Sequence, residues 1–227
     1  MSEKAIIYST AGNIDPRVAD VCRRQLRAAA EYSGVPIICV SQGPVHFGDE
    51  RIDVGPLGLS LKSMFAQQVA GLGRAVELGA AWSFIAEHDV LYPDGFFDYG
   101  PDWPAGRDDL VFYQRHGYCC NSRGFWAWDE PLCSNLAGPT ATLWAAYKYR
   151  LEQVRAGTPI VWSEPGRQEG DPWKMIPAWN KQPWVDIRHG GNLTGGRESP
   201  TGHYLDTIEP WGSHAELIKS LGLKGDL

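Results

Sequence analysis

Hydrophobic positions in the first ninety residues fall into two alternating patterns. Lys4-Ala5-Ile6-Ile7-Tyr8-Ser9-Thr10 is a short apolar, β-branched run that stops at Ala11-Gly12-Asn13, the pattern of a buried strand ending in a loop. Asp15-Pro16 follows, offering an N-cap side chain and a proline suited to the first helical position. Val18, Val21, Cys22, Leu26, Ala29 and Tyr32 then recur at helical spacing until Gly34, which suits a left-handed helix end. Val35-Pro36-Ile37-Ile38-Cys39-Val40 is a second continuous apolar run. Strands apolar on both faces, separated by an amphipathic helix, predict a parallel α/β sheet covered by helices.

The alternation repeats. Asp53-Val54-Gly55 reads as a short third strand at an edge, and Ser60 caps a second helix with Leu61, Met64, Phe65, Val69, Leu72, Ala75 and Val76 on one face. Gly79 ends it, and Trp82-Ser83-Phe84-Ile85-Ala86 is a strand that runs into Glu87-His88-Asp89. Residues 94–109 read as loop, Leu110–Tyr113 and Gly124–Trp128 as strands, and Gly138-Pro139 as the opening of a helix that reaches about Arg155. Thr158-Pro159-Ile160-Val161-Trp162 is expected to be a strand. From Glu164 to Gly202 the chain is rich in Gly, Pro and Trp with little periodicity, which predicts a long functional or mobile loop. No repeat or linker divides the chain, so a single domain over residues 1–227 is expected, a mixed and mainly parallel sheet flanked by helices.

Hydrophobic residues make up 43% and charged residues 21% of the 227, which excludes an extended disordered chain. The net charge of −6 excludes a generic basic nucleic-acid coat. Charge is uneven, however: residues 107–197 carry 11 basic against 9 acidic side chains and also hold most of the ten tryptophans. Any polyanion contact is expected there. The five cysteines contain no CxxC pair, so neither a zinc knuckle nor a thioredoxin motif is present, and Cys22 and Cys39 read as small core residues. The N-terminus lacks a signal-peptide pattern, and no apolar stretch approaches the ~18 residues that span a bilayer. The expectation is a soluble chain of a reducing cytoplasm with no membrane partner.

The sharpest chemical feature is Glu87-His88-Asp89. Carboxylates at i and i+2 leave a strand end on one side, where both reach a single hard divalent cation. Such an ion neutralises a diphosphate and stabilises it as a leaving group. A second focus is Asp186-Ile187-Arg188-His189-Gly190-Gly191-Asn192-Leu193-Thr194-Gly195-Gly196-Arg197, where glycines permit close backbone approach to a phosphate and arginines can pair with its oxygens. It is not a Walker loop, since no Gly-Lys-Ser/Thr follows. Trp173, Trp179 and Trp184, in a Pro-rich stretch with Lys174 and Lys181, offer faces on which sugars or bases stack. With Lys174 and Arg197 they form the expected acceptor site.

From Leu59-Ser60-Leu61-Lys62-Ser63 through Trp82–Pro93, and again over Leu143–Gly166, the chain resembles the nucleotide-sugar glycosyltransferases of the GT-A fold. The resemblance spans residues ~4 to ~166 and rests on helix, glycine, apolar strand and an acidic motif, here Glu87-x-Asp89. It implies that residues 1–93 bind the nucleotide-sugar, expected to be a UDP-sugar, and that residues 94–227 take the acceptor. It further implies Mn²⁺ or Mg²⁺ held by Asp89 and Glu87, with His189 completing the shell. Ser9 and Thr10 would face the nucleoside, Asp53 would sit near base or ribose, Lys62 would meet the diphosphate, and His88 would join the donor site. One departure stands out: the acidic pair that in many inverting members opens the helix before the Ala-Gly turn is replaced by Gly138-Pro139-Thr140-Ala141-Thr142. Glu164, Asp171 and Asp129 are available acids, and spacing does not choose among them; otherwise the reaction retains configuration. The HGGNLTG stretch and the compact plan also resemble small phage-type, TET-associated transferases that glycosylate hydroxymethylated pyrimidines in DNA. That would make Arg115, Arg123, Arg167, Lys174, Lys181 and Arg197 backbone contacts. The alternative is a non-catalytic, Trp-rich carbohydrate-binding protein, which has no need of carboxylates at a strand end.

Overall fold

The computed structural model describes residues 3–100, 109–188 and 198–222. Strands β1 (Lys4–Thr10), β2 (Ile37–Ser41), β3 (Glu50–Asp53) and β4 (Trp82–Glu87) run parallel in the order β3-β2-β1-β4. Helices α1 (Pro16–Ser33) and α2 (Leu61–Glu77) make the crossovers. The two-residue β5 (Val90–Leu91) follows β4, and α3 (Thr140–Arg155) comes later in the chain.

Both faces of this half are apolar because the period-two alternation of β1 splits its side chains. Ile6 and Tyr8 pack with Leu26, Ala29 and Ala30 of α1, whereas Ala5 and Ile7 pack with Phe65, Leu72 and Ala75 of α2 and with Leu143, Tyr147 and Leu151 of α3. The helix ends follow the sequence chemistry. The Asp15 carboxylate accepts from the Arg17 amide, Gly34 sits at φ 65°, and Ser60 and Ser63 cap each other reciprocally at the start of α2. Gly71 lets α2 lie close on the sheet, since a Cβ there would stand 2.5 Å from Ile7 Cγ2. Leu61 and Val76, expected on the apolar face of α2, lie at its exposed margins.

The other half is built on two long strands. β6 (Leu110–Asn121) forms a hairpin with β7 (Gly124–Trp128), and β8 (Leu136–Pro139) joins β4 to β6 antiparallel to both. β9 (Lys174–Ile187) lies parallel to β6, and β5 closes the far edge against the end of β9. Among the described residues nine strands thus form one mixed sheet. A small ribbon of β10 (Thr207–Ile208) and β11 (Gly212–Ser213), followed by α4 (His214–Ser220), packs beside it.

Four expectations need correction. Thr158–Trp162 is not a strand: it has no sheet partner, and Val161 and Trp162 are exposed. The strand expected over Leu110–Tyr113 continues to Asn121, and Leu136–Pro139 is a strand before the helix begins at Thr140. The stretch expected to be a long loop from Glu164 contains the fourteen residues of β9. Prolines at 177 and 183 concealed it. Among the described residues β9 meets only β5 on its outer side, at Val185 and Asp186, so the rest of that edge is open and a proline there forfeits no ladder hydrogen bond. Pro183 falls within the irregularity where Arg115 and Gly117 of β6 face Trp179 and Trp184. His116, at the centre of that bulge, has φ 64°. All five cysteines are buried and none forms a disulfide. Among the described residues no helix is long and apolar enough to cross a membrane.

Candidate functional site

β1 and β4 are neighbours, yet α1 leaves β1 on one face of the sheet and α2 enters β4 on the other. Such a reversal leaves a crevice at the carboxyl ends of the strands. A cavity of about 420 Å³ opens there. Its floor is Ser9 and Thr10 from β1, Glu87 at the end of β4, and His88 and Asp89 just after it, with Ser9 directly beside Glu87 in the sheet register.

Local hydrogen bonds fix this floor. Gln68 Nε2 donates to Ser9 Oγ at 2.9 Å, and Gln67 Nε2 donates to the carbonyls of Thr10 (2.8 Å) and Val40 (3.0 Å). Both glutamines are buried, polar residues set into the apolar face of α2. His88 Nδ1 lies 3.1 Å from Thr10 Oγ1. The Glu87 amide donates to the Tyr92 hydroxyl, which donates in turn to the Ser134 carbonyl, both at 3.0 Å.

β9 brings the second wall. Because Val90 pairs with Asp186, the end of β9 is drawn against the His88-Asp89 turn, and the Ile187 amide donates to the Asp89 carbonyl at 2.8 Å. Asp186 and Arg188 thereby line the cavity as a buried ion pair at 2.6 Å. The start of α2 supplies a third wall through Ser60, Ser63 and Met64, and the irregular segment Ile160–Glu164 with Arg167 a fourth.

Carboxylates dominate the charge. Burial, then the Asp89, Asp186 and Glu164 carboxylates, push the Glu87 carboxyl up from 4.5 to about 8, against the opposing pull of Arg188. Burial likewise pushes the Cys133 thiol well up, so this cavity-lining sulfur is a thiol and not a nucleophilic thiolate.

Among the described residues, no three His, Cys, Asp or Glu side chains form a metal-binding group. His189, the expected third ligand, lies outside the described residues, as does Arg197. What remains is two acids at one strand end, whose carboxylate oxygens are the donors that a hard cation of the Mg²⁺ type takes. Such an ion takes one or two carboxylates and completes its shell with water and substrate phosphate.

Of the residues expected at the donor site, Ser9, Thr10, Glu87, His88 and Asp89 come together in the cavity. Asp53 and Lys62 do not line it. Asp53 is exposed at the end of β3, where its carboxylate accepts from the Gly55 amide, and Lys62 is exposed on the first turn of α2 between lining residues Leu61 and Ser63. The expected acceptor residues do not gather. Trp184 is fully buried, its indole donating to the Gln114 carbonyl, so no acceptor can reach it. Trp173 packs on Tyr149, Trp179 is exposed and stacks on His116 at 5.3 Å, and Lys174 is exposed at the start of β9. The aromatic residue that does reach the cavity is Trp162, with the Arg167 guanidinium 3.7 Å from its ring centre.

No model of a known protein family matches the sequence, and no curated protein matches it either. In fold, the chain is similar to a solved glycosyltransferase involved in the glycosylation of the major capsid of PBCV-1. The superposition has a TM-score of 0.53 with 8% sequence identity and covers 96% of this chain and 98% of that one. The architecture is therefore α/β of the GT-A-like type.

Proposed function

We propose that this chain transfers a glycosyl group from a nucleotide-sugar to an acceptor hydroxyl. The observation that carries the reading is the meeting of Glu87, His88 and Asp89 with Ser9 and Thr10 in one cavity, at the strand-end crevice of a glycosyltransferase-like fold. A volume of about 420 Å³ lies within the usual range for small-molecule sites.

Asp89 and Glu87 would hold Mn²⁺ or Mg²⁺. When bound, such an ion neutralises the diphosphate and stabilises it as it leaves. The chain's own groups do the remaining work. Ser9 and Thr10 present hydroxyls at the end of β1, oriented by Gln68 and His88, where they can meet a nucleoside. Arg188, fixed by Asp186, brings a cation to the same floor, and a guanidinium suits phosphate oxygens. Trp162 offers a flat apolar wall against which a sugar ring can rest.

A UDP-sugar is the donor and hydroxymethylated DNA the acceptor that the sequence led us to expect, and both belong to this proposal. Three of the cations expected on a DNA backbone are engaged: Arg115 with Asp129, Arg123 with Glu198 and Arg167 with Glu130. Lys174 and Lys181 stay exposed. The test is a screen of UDP-, GDP- and TDP-sugars for hydrolysis and for transfer to free oligosaccharides, unmodified DNA and DNA containing 5-hydroxymethylcytosine, with and without Mg²⁺ or Mn²⁺. Turnover that needs the metal and is lost in Asp89→Asn supports glycosyl transfer. Oligosaccharide binding without turnover of any nucleotide-sugar would favour the carbohydrate-binding alternative.

A further inference from the structure

We propose that Glu164 is the general base that deprotonates the acceptor, so that transfer inverts the anomeric configuration. The inference rests on the glycosyl-transfer reading.

The sequence left Glu164, Asp171 and Asp129 open, and the structure separates them. Asp129 is exposed, paired with Arg115 and away from the cavity. Asp171 is buried in an ion pair with Arg150 and does not line the cavity. Glu164 lines the cavity and is 6% exposed, on the Ile160–Glu164 segment rather than on the strand-end turn that carries Glu87 and Asp89, with Arg167 Nη1 3.8 Å from its Oε2. The remaining cavity acid, Asp186, is held in a closer pair, at 2.6 Å, by Arg188. Glu164 is thus the cavity carboxylate that lies off the strand-end turn and outside the Asp186–Arg188 pair.

The loop that carries Glu164 is held by an unusual device. Asp171 Oδ2 accepts from the Gly166 amide at 2.8 Å, the Gln168 amide at 3.2 Å and Arg150 Nη2 at 2.5 Å. The same Arg150 nitrogen donates to the Glu164 carbonyl at 3.2 Å. A fully buried arginine is costly to desolvate, and a buried pair adds little net stability. What it does here is fix the backbone of Glu164 from behind, the kind of support that a positioned base requires. Trp162, two residues earlier, stands on the same wall.

The step balances as a single displacement. Glu164 takes the proton of the acceptor hydroxyl as that oxygen bonds to the anomeric carbon. The bond from that carbon to the diphosphate oxygen breaks on the opposite face, and the electron pair leaves with the nucleoside diphosphate. Glu164 then returns its proton to solvent. Water can stand in for the acceptor, which allows a test without knowing the natural one.

The experiment follows, by proton NMR with Mg²⁺, hydrolysis of whichever UDP-, GDP- or TDP-sugar the wild type turns over, reading the first anomer released. Inversion relative to the donor is expected. Glu164→Gln should lower kcat by about 10²–10⁴-fold with the donor KM nearly unchanged, Glu164→Asp should lose less, and Asp129→Asn should stay within about two-fold. Release with retained configuration, or a Glu164→Gln loss below about ten-fold, would overturn the assignment and leave glycosyl transfer standing. Absence of turnover of every nucleotide-sugar would instead remove the reading and the base together. If Glu164→Gln does not fold, the wild-type anomer decides alone.

Discussion

Replacing Arg150 with methionine isolates the buried clamp behind the Glu164 loop. Arg150 is 0% exposed and the Asp171 side chain 3% exposed. The substitution leaves a buried carboxylate with two amide donors and no cation, and it also removes the arginine donors of Gln153 Oε1 and of the Glu164 carbonyl, which keeps the Arg167 amide. Removing one partner of a buried pair costs about 3–5 kcal/mol. In a domain of this size that corresponds to a fall in Tm of roughly 6–20 °C. Native stabilities of about 5–15 kcal/mol leave the variant able to fold at low temperature. The double variant Arg150→Met with Asp171→Leu removes both charges and should recover most of that loss, because apolar replacement of a buried pair is often close to neutral. Turnover should not recover with it, since the Gly166 and Gln168 amides have lost the acceptor that shapes the loop. Urea unfolding followed by tryptophan fluorescence measures the first effect and nucleotide-sugar hydrolysis the second. A loss below about 1 kcal/mol in Arg150→Met, or a double variant no more stable than the single, would refute this view of the clamp.

Two further substitutions probe separate features. The Glu87 carboxyl is pushed up from 4.5 to about 8 in the folded chain, so the native state holds its proton more tightly than the unfolded state does. This group's stabilisation is complete below the ordinary carboxylate range and is lost as pH rises through about 8. In chelator, urea midpoints of the wild type should therefore fall between pH 5 and pH 8 by more than those of Glu87→Gln; equal falls would contradict the charge crowding. Gly117→Ala would place a Cβ 2.1 Å from Cε2 of the fully buried Trp184 ring, and should cost about 3 kcal/mol in thermal or urea unfolding. A variant within about 0.5 kcal/mol of wild type would show that the bulge can relax.

The first half of the fold was legible because each local signal agreed with its neighbours. Asp15-Pro16 and Gly34 bound α1, Ser60 caps α2, and the apolar runs at Ile6 and Phe84 are the central strands. The acidic turn at the end of β4 is likewise visible in the sequence, as is the charged Asp186-Ile187-Arg188 at the end of β9. The second half was hidden by features that only tertiary structure explains. Pro177 and Pro183 argue against a strand until one sees that β9 has an open edge and a bulge. Thr158–Trp162 has strand composition, yet β9 occupies the place beside β6 and leaves that segment to wall the cavity. Gln67 and Gln68 were overlooked although a polar residue at a position flanked by Phe65 and Leu72 on one helix face is itself a signal. Nothing local could tell that Trp184 is core and Trp162 lines the cavity, since both sit in Trp- and Pro-rich stretches of similar composition.

The most direct test of donor binding at Glu87 and Asp89 is the thermal shift produced by UDP, GDP, TDP and CDP, each measured with Mg²⁺ or Mn²⁺ and in chelator, on the wild type and on Asp89→Asn. A ligand at about 100 times its Kd adds about 2.7 kcal/mol, a rise in Tm of roughly 5–11 °C for a chain of this length. One nucleoside diphosphate should give that rise with the metal, much less in chelator where the diphosphate meets the acidic floor with no cation between, and none in Asp89→Asn. An equal shift with and without metal, or no shift with any of the four nucleotides, would contradict it.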